Sequence, residues 1–430
     1  MVDPEKGFTS SIIKDPKRFI GRRELLQRCI RAINNPLGLI AVYGKRGVGK
    51  SSLLRQLQQI ALGDYSLIRL SGLERELPTR PRKYLTVYYQ CDSLINDGTN
   101  LLSRLCNDQE EEDGLLRLVP NDGKELIEFS RTKEASAAFD LKVAKWGAKG
   151  IDSSKYARIV PGDTVQTFRN FINAILTHQV QKRMKRDGLL IILDEFDVIK
   201  NKSGLGSLIK SLSSEQVKFA ICGIGRDTSD LVKDHASVER LLEQGAINVE
   251  TMPNEEIKTI ITRAEDLFEE AICFDDTVKE RIVKFSQGYP YFTHMLGKQC
   301  VEKANLRSIN RIDQTLFEEV LTDIEIGKAL PTLENAYQKA IGDSSDRQLL
   351  LHLLADQPED SAKCDIEVGR VLLKKIRGDA EDLNVKNLDQ NLPRLLDHRF
   401  GPTLMKVPDR SGVYEFVNPV LRLYIRLRKF

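Results

Sequence analysis

The stretch "GKRGVGKSS" (residues 44–52) stands where an apolar run, "LGLIAVYG" (37–44), stops and an amphipathic run, "SSLLRQLQQIAL" (51–62), begins. The first run reads as a buried strand ending in glycine. The second places Leu53, Leu54, Leu57 and Ile60 on one helix face. Between them Gly44, Gly49, Lys50 and Ser51 match G-x-x-x-x-G-K-[ST]. Glycines let the backbone wrap closely enough for its N–H groups to point at phosphate oxygens, and the following helix adds its positive N-terminal end. Lys50 can then reach the β- and γ-phosphates, and Ser51 can ligand Mg²⁺. The candidate phosphate-binding set is Gly44, Lys45, Arg46, Gly47, Val48, Gly49, Lys50, Ser51 and Ser52. A solvated glycine-rich turn is the plain alternative, and the strand before and helix after weigh against it.

The companion signal is "GLLIILDEFD" (188–197), a buried strand ending in acids. At a strand's C-terminal end Asp194 is placed to hold the Mg²⁺ shell, and Glu195 beside it can polarise an attacking water. Asp197 reads equally well as a supporting acid or a solvated one. A pair of surface acids capping the next helix is the competing reading for Asp194 and Glu195.

Outward from these two stretches, strands and helices alternate. "KYLTVYYQCD" (83–92), "VKFAICGIG" (217–225) and "AINVETMP" (246–253) are further strands. "RFIGRRELLQRCIRAI" (18–33) carries Leu25, Leu26, Cys29, Ile30 and Ile33 at helical spacing. "DTVQTFRNFINAIL" (163–176) opens with a capping Asp and buries Val165, Phe168, Ile172 and Ile175. The pattern predicts an α/β fold with a parallel sheet sandwiched by helices. Residues 1–17 read as a polar extension on the surface, and 18–252 as the α/β domain. An irregular insertion is expected over about 93–163, where "NDQEEED" and "KWGAKGIDSSK" occur. After Pro253 the pattern is helical, giving a lid domain over 253–330. Residues 331–430 form a third, helical part in which "PTLMKV" and "GVYEFV" flank "PDRSG" as a hairpin.

Composition sets bounds. The chain has 430 residues, 41% hydrophobic and 30% charged, with room for two or three domains. A net charge of +3 implies no nucleic-acid or membrane partner by itself. Seven scattered cysteines without a C-x-x-C pair read as reduced thiols rather than a disulfide frame or zinc site. No run reaches the roughly 18 apolar residues of a membrane helix, so a cytoplasmic protein without membrane contact is expected.

The order of "FIGRRELL", phosphate loop, "LDEFD" and a glycine-ended strand resembles the AAA+ and STAND branches of P-loop ATPases. Within them the chain is most similar to the replication-initiator, origin-recognition-like ATPases with a C-terminal winged helix. The resemblance covers about residues 18–330. It implies an ASCE/AAA+-type P-loop NTPase fold, ATP or ADP with Mg²⁺ as ligands, and a nucleotide-driven ATPase switch that self-associates.

The same resemblance gives roles to further residues. Ile20 is the candidate to pack on adenine, with Gly21 permitting close approach; an ordinary helix start is the alternative. Arg226 in "GIGRD" (223–227) matches the STAND sensor arginine, although Asp227 or Thr228 can fill that place as in many AAA+ proteins. Arg240 in "SVERLL" (237–242) is the candidate arginine finger reaching a neighbouring subunit, against an Arg on a solvated face. Gly288 and Pro290 in "QGYPYFTHML" match the glycine-x-proline element of STAND lids. His294 stands near the place where initiators carry an arginine, and reads as a packing residue more readily than as a phosphate ligand. "EFVNP" lacks the histidine of the STAND Met-His-Asp motif, so a histidine-held ADP lock does not carry over.

The helical prelude "NLDQNLPRLLDHRF" and the hairpin suggest a winged helix, with Lys406, Arg410, Arg422, Arg426, Arg428 and Lys429 as cations for DNA phosphates. Arg422 and Arg426, four apart, equally suit one solvated helix face. A non-catalytic regulatory scaffold in a defence or signalling system is the third reading; no effector motif is visible in the chain, so any output chemistry would come from a separate effector protein.

Overall fold

The computed structural model describes residues 1–36, 38–107, 114–118, 164–232, 242, 245–359, 362–363, 385–397, 399, 402–408 and 410–428. The chain divides into two compact units. One comprises Ile13–Gly44 and Lys50–Val249; the other comprises Met1–Ile12, Lys45–Gly49 and Glu250–Phe430.

The five apolar runs become the strands of the first unit: β1 (Ile40–Gly44), β2 (Tyr84–Gln90), β3 (Gly188–Asp194), β4 (Val217–Ile224) and β5 (Ala246–Asn248). They form one sheet in the order β2-β3-β4-β1-β5, with every neighbouring pair parallel. Every residue of β3 is buried, as a central parallel strand covered on both faces requires. The covering helices are α1 (Arg23–Asn34), α2 (Lys50–Leu62), α3 (Gly98–Asn107), α4 (Thr164–Ile175) and α5 (Leu205–Leu212).

Side chains alternate along a strand, so the register assigns each residue to a face. Val87, Tyr89, Ile191, Leu193, Phe219 and Ile221 join Leu105 of α3, Phe168 and Ile172 of α4 and Ile209 of α5 in one apolar cluster. Thr86 and Tyr88 of β2 point to the other face, where α2 lies. There Gln58 Nε2 donates to Thr86 Oγ1 at 3.1 Å, and the Arg55 guanidinium sits 3.3 Å from the Tyr88 ring centre. At the far end of β4 the buried Lys218 donates to the carbonyls of Ala32 (2.8 Å), Ile33 (3.3 Å) and Asn35, which close the C-terminus of α1. A cation there satisfies carbonyls that have no partner within the helix. Burial pulls this ammonium down to about 8.

The start of the expected irregular insertion is helical instead. In α3, Leu101, Leu102 and Leu105 are buried against the sheet, and the first residues after β2 thereby belong to the core. Asp163, read as the cap of α4, and residues 119–163 lie outside the described residues.

The second unit carries α6 (Asn254–Leu267), α7 (Asp276–Ser286), α8 (Pro290–Arg307) and α9 (Gln314–Glu325), with the short strands β6 (Cys273–Phe274) and β7 (Arg311–Ile312) paired in parallel. After these come α10 (Pro331–Ile341), α11 (Ser345–Asp356), β8 (Ala362–Lys363), α12 (Val385–Leu396), β9 (Leu404–Lys406), β10 (Val413–Phe416) and α13 (Pro419–Leu427). The hairpin read from sequence is β9–β10, antiparallel with Met405 opposite Glu415. A third strand, β8, joins its other side, and two residues are too few to reveal a strand in sequence.

Two expectations are corrected in this unit. The N-terminal residues are not simply a surface extension. Phe8 is fully buried beside Phe268, Phe274 and His294, and a Cβ at Gly297 would stand 2.3 Å from its ring. Asn305 locks Val2 from both sides, accepting its N–H at 3.0 Å and donating to its carbonyl at 2.7 Å. One aromatic residue therefore anchors a polar segment. Arg422 likewise does not lie on a solvated face. It is 3% exposed and donates to Gln287 Oε1 (2.9 Å) and the Gln357 carbonyl (2.6 Å). Arg428 pairs with Glu334 at 3.1 Å, and Arg426 stands 3.8 Å from Asp356. Internal carboxylates and carbonyls hold Arg422 and Arg428, whereas Arg426 stays exposed as expected. Lys429 lies outside the described residues.

Candidate functional site

Gly44 ends β1 with φ +148°, and a Cβ there would stand 2.2 Å from the Val249 carbonyl oxygen. Only glycine lets β1 pass the segment following β5 so closely. The turn then runs through Lys45–Gly49, with Gly47 and Gly49 at φ +83° and +98°, and α2 starts at Lys50. Positive φ at two glycines is what turns successive N–H groups inward in an anion-binding loop. Val48 is buried, Arg46 is exposed, and Lys50, Ser51 and Ser52 are half-buried in the first turn of α2. Ser52 Oγ accepts the Ile13 N–H at 3.0 Å, and Gln56 Nε2 donates to the carbonyls of Ile13 and Lys14 at 3.1 Å each. The chain leading to Ile20 and Gly21 is thus tied to the helix that follows the loop. Ile20 is half-buried; Gly21 takes φ +67° and Arg22 +59°, a left-handed pair that launches α1.

Within their own unit, the loop residues Lys45–Gly49 meet α8 and α13. A Cβ at Gly47 would lie 2.8 Å from Val420 Cγ2, and one at Gly49 would lie 3.8 Å from Pro290 Cγ. Lys45 Nζ is 2.9 Å from Glu359 Oε1, which also accepts the Tyr289 hydroxyl at 2.5 Å. Gly288 (φ +79°) makes the turn out of α7, and Pro290 opens α8 at the position where its missing N–H costs nothing. His294 is buried, with Thr9 N–H 3.4 Å from its Nδ1 and Phe8 against its ring, the surroundings of a packing residue.

Asp194 ends β3, separated from β1 by β4 alone. It is 3% exposed, and both carboxylate oxygens are engaged. Oδ1 accepts the Glu195 N–H at 2.9 Å, and Oδ2 accepts the Tyr88 hydroxyl at 2.5 Å. Cys222 flanks Asp194 from β4; burial first and the Asp194 charge second push its thiol well up. Burial and the same carboxylate push the Tyr88 hydroxyl up, so it stays a donor. Glu195 is exposed and left-handed (φ 52°), which swings it out of the strand line. Asp197 Oδ1 accepts the Ile224 N–H at 2.9 Å, so it braces the end of β4.

Arg226 follows β4, half-exposed, with its N–H on Asp230 Oδ2 at 2.7 Å. Asp227 is occupied as a helix cap. It accepts Ser229 N–H at 2.8 Å, and the Ser229 hydroxyl holds its carboxyl below the usual range. Arg240 lies outside the described residues. In the sheet unit, then, Lys50, Ser51, Asp194, Glu195 and Arg226 share the C-terminal edge of the strands, where open α/β sheets take their ligands. Tyr88, Arg55 and Cys222 surround Asp194 without belonging to the phosphate-binding set, and sequence reading missed them. Only the strand pairing, Gln90 opposite Asp194 and Ile221 opposite Leu193, brings Tyr88 and Cys222 beside it.

The residues fit a nucleotide and a divalent cation. A glycine-rich sequence leading into α2, a lysine and a serine at that helix's start, and a buried carboxylate with acceptor capacity to spare are the required donor set. Sheet order and loop together make this a P-loop NTPase-type fold, a parallel sheet sandwiched by helices.

No family model and no curated protein sequence matches the chain. Among solved structures it is similar to the Aeropyrum pernix ORC1 protein in complex with DNA, at 12% identity and TM-score 0.47, covering 99% of this chain and 96% of that one. It is similar to Cdc6p from Pyrobaculum aerophilum (12%, TM-score 0.42, 99% and 98% covered) and to the Thermotoga maritima RuvB Holliday junction branch migration motor (14%, TM-score 0.42, 95% and 96% covered). At such identities and scores the likeness adds nothing to what the sheet order and the phosphate loop establish by themselves.

Proposed function

We propose that this chain binds ATP and ADP with Mg²⁺ and hydrolyses ATP, as a switch of the AAA+/STAND kind whose nucleotide state sets self-association and partner engagement. One observation carries the reading. Lys50 and Ser51, which open α2 behind β1, and the buried strand-end carboxylate of Asp194 stand at the same edge of the sheet, with β4 alone between β1 and β3. Lys50 and the N–H groups of Gly47–Ser52 would hold the phosphates, while Ser51 and Asp194 would hold the cation. The cation, when bound, neutralises phosphate charge. Exposed Glu195 accepts a proton from the attacking water, and Arg226 places a cation at the end of β4. Ile20 and Gly21 receive the base, Pro290 borders the loop, and Arg240 acts on a neighbouring protomer. The test is phosphate release by wild type and Glu195→Gln. The variant is expected to bind ATP normally and turn over roughly 10²-fold slower, the range of a lost general base. Equal rates would remove Glu195 from the mechanism.

A DNA-engaging role for the winged-helix-like part rests on fewer cations than the sequence offers, because Arg422 and Arg428 are held internally. Lys406, Arg410 and Arg426 are the exposed members of the set among the described residues. Duplex binding that weakens steeply with salt and is lost in a Lys406→Glu/Arg410→Glu variant supports that role; salt-insensitive or absent binding counts against it.

A further inference from the structure

The carboxylate that the proposed function gives to the cation is gripped from both neighbouring strands, by groups that no part of that role requires. In the register Gln90 of β2 stands opposite Asp194, which puts Tyr88, two residues earlier, on the same face and within diagonal reach. Its hydroxyl donates to Asp194 Oδ2 at 2.5 Å. On the other side Leu193 stands opposite Ile221, so the next residue, Cys222, flanks Asp194 from β4 on the same face. Tyr88 and Cys222 are both fully enclosed and neither can reach solvent. The Arg55 guanidinium lies 3.3 Å from the Tyr88 ring centre, closing the phenol from the side of α2.

A phenylalanine at 88 would fill the same volume and pack under Arg55 equally well, so packing does not explain the hydroxyl. A buried carboxylate does. Left without donors it would be costly, and with one donor it would be free to rotate. Here the Glu195 N–H takes one lone pair of Oδ1 and the Tyr88 O–H takes one of Oδ2. The carboxylate plane is then fixed, and acceptor capacity remains on it.

We propose that Tyr88 and Cys222 are positioning residues that fix the Asp194 carboxylate for a hydrated divalent cation, with Tyr88 the stronger of the two. The proposal rests on the reading of Asp194 as the cation's carboxylate. Groups that orient a metal-binding side chain are commonly worth 10- to 100-fold in metal affinity.

The test uses the full chain and a fluorescent ATP analogue, titrated in EDTA and again over a range of Mg²⁺ concentrations. Tyr88→Phe is expected to bind the analogue in EDTA as wild type does, and to need roughly tenfold more Mg²⁺ for half of the magnesium-dependent enhancement. Cys222→Ala is expected to show a smaller loss in the same direction, about threefold, and Cys222→Ser, which retains a donor, to recover most of it. A merely structural role would instead weaken binding in EDTA as well. Wild-type Mg²⁺ dependence in Tyr88→Phe overturns the proposal while leaving the nucleotide site intact. Should Tyr88→Phe not fold, Cys222→Ala decides, and an unchanged Mg²⁺ requirement there overturns it. No magnesium enhancement in wild type overturns both this inference and the function beneath it.

Discussion

Asp194 and Glu195 are adjacent acids in opposite surroundings: one is enclosed with both oxygens bound, the other exposed on a left-handed residue beyond the strand. Their separation was legible, because an apolar run that stops at an acid marks a strand end. What holds Asp194 was not. "YLTVYYQ" offers three tyrosines, and only pairing with β3 says which hydroxyl meets the carboxylate. Glycines were legible as a motif, but the reason for Gly44 lies 205 residues away, in the Val249 carbonyl. Gly44→Ala must move that carbonyl or abandon φ +148°. It is expected to lower stability by about 1–3 kcal/mol, the scale of local backbone strain. Urea unfolding measures it, and an unchanged midpoint would show that the close approach is not maintained in solution.

At the scale of elements, the five strands were readable because buried parallel strands are nearly continuous apolar runs. The N-terminal segment was not, since one phenylalanine in a polar stretch has no period. Phe8→Ala is expected to cost about 3–5 kcal/mol, as for other fully buried aromatics, and to free residues 1–12 for proteolysis. Cleavage there no faster than in wild type would contradict the anchoring role. Between α10 and α11, buried His352 faces the Tyr337 hydroxyl at 3.1 Å. Burial, helped by nearby Arg428, pulls its imidazole from the usual 6.5 down to about 4. The unfolded chain therefore takes up this proton first as pH falls. Stability from this group is complete above about pH 6.5 and is lost toward pH 4, by up to about 3 kcal/mol. The difference in unfolding free energy between wild type and His352→Phe, followed from pH 7 to 4, should shrink accordingly; a constant difference would contradict it.

At the scale of the whole molecule, the fold class followed from strand–helix alternation and the phosphate loop, whereas oligomer and target did not. Those depend on surfaces, and a solvated arginine and an internally paired one look alike in sequence, as Arg422 demonstrates. Among the described residues no helix is long and apolar enough to cross a membrane. Self-association is expected to follow nucleotide occupancy. A non-hydrolysable ATP analogue with Mg²⁺ should raise the sedimentation coefficient of wild type and leave that of Lys50→Ala unchanged; identical profiles for wild type with and without analogue would separate nucleotide binding from assembly. Beneath this stands the cradle itself, and titration calorimetry of ATP into the folded protein tests it most directly. A single-site isotherm that tightens with Mg²⁺ and vanishes in Lys50→Ala is expected. Absence of binding heat in wild type with Mg²⁺ at several temperatures, or an undiminished isotherm in Lys50→Ala, would contradict it.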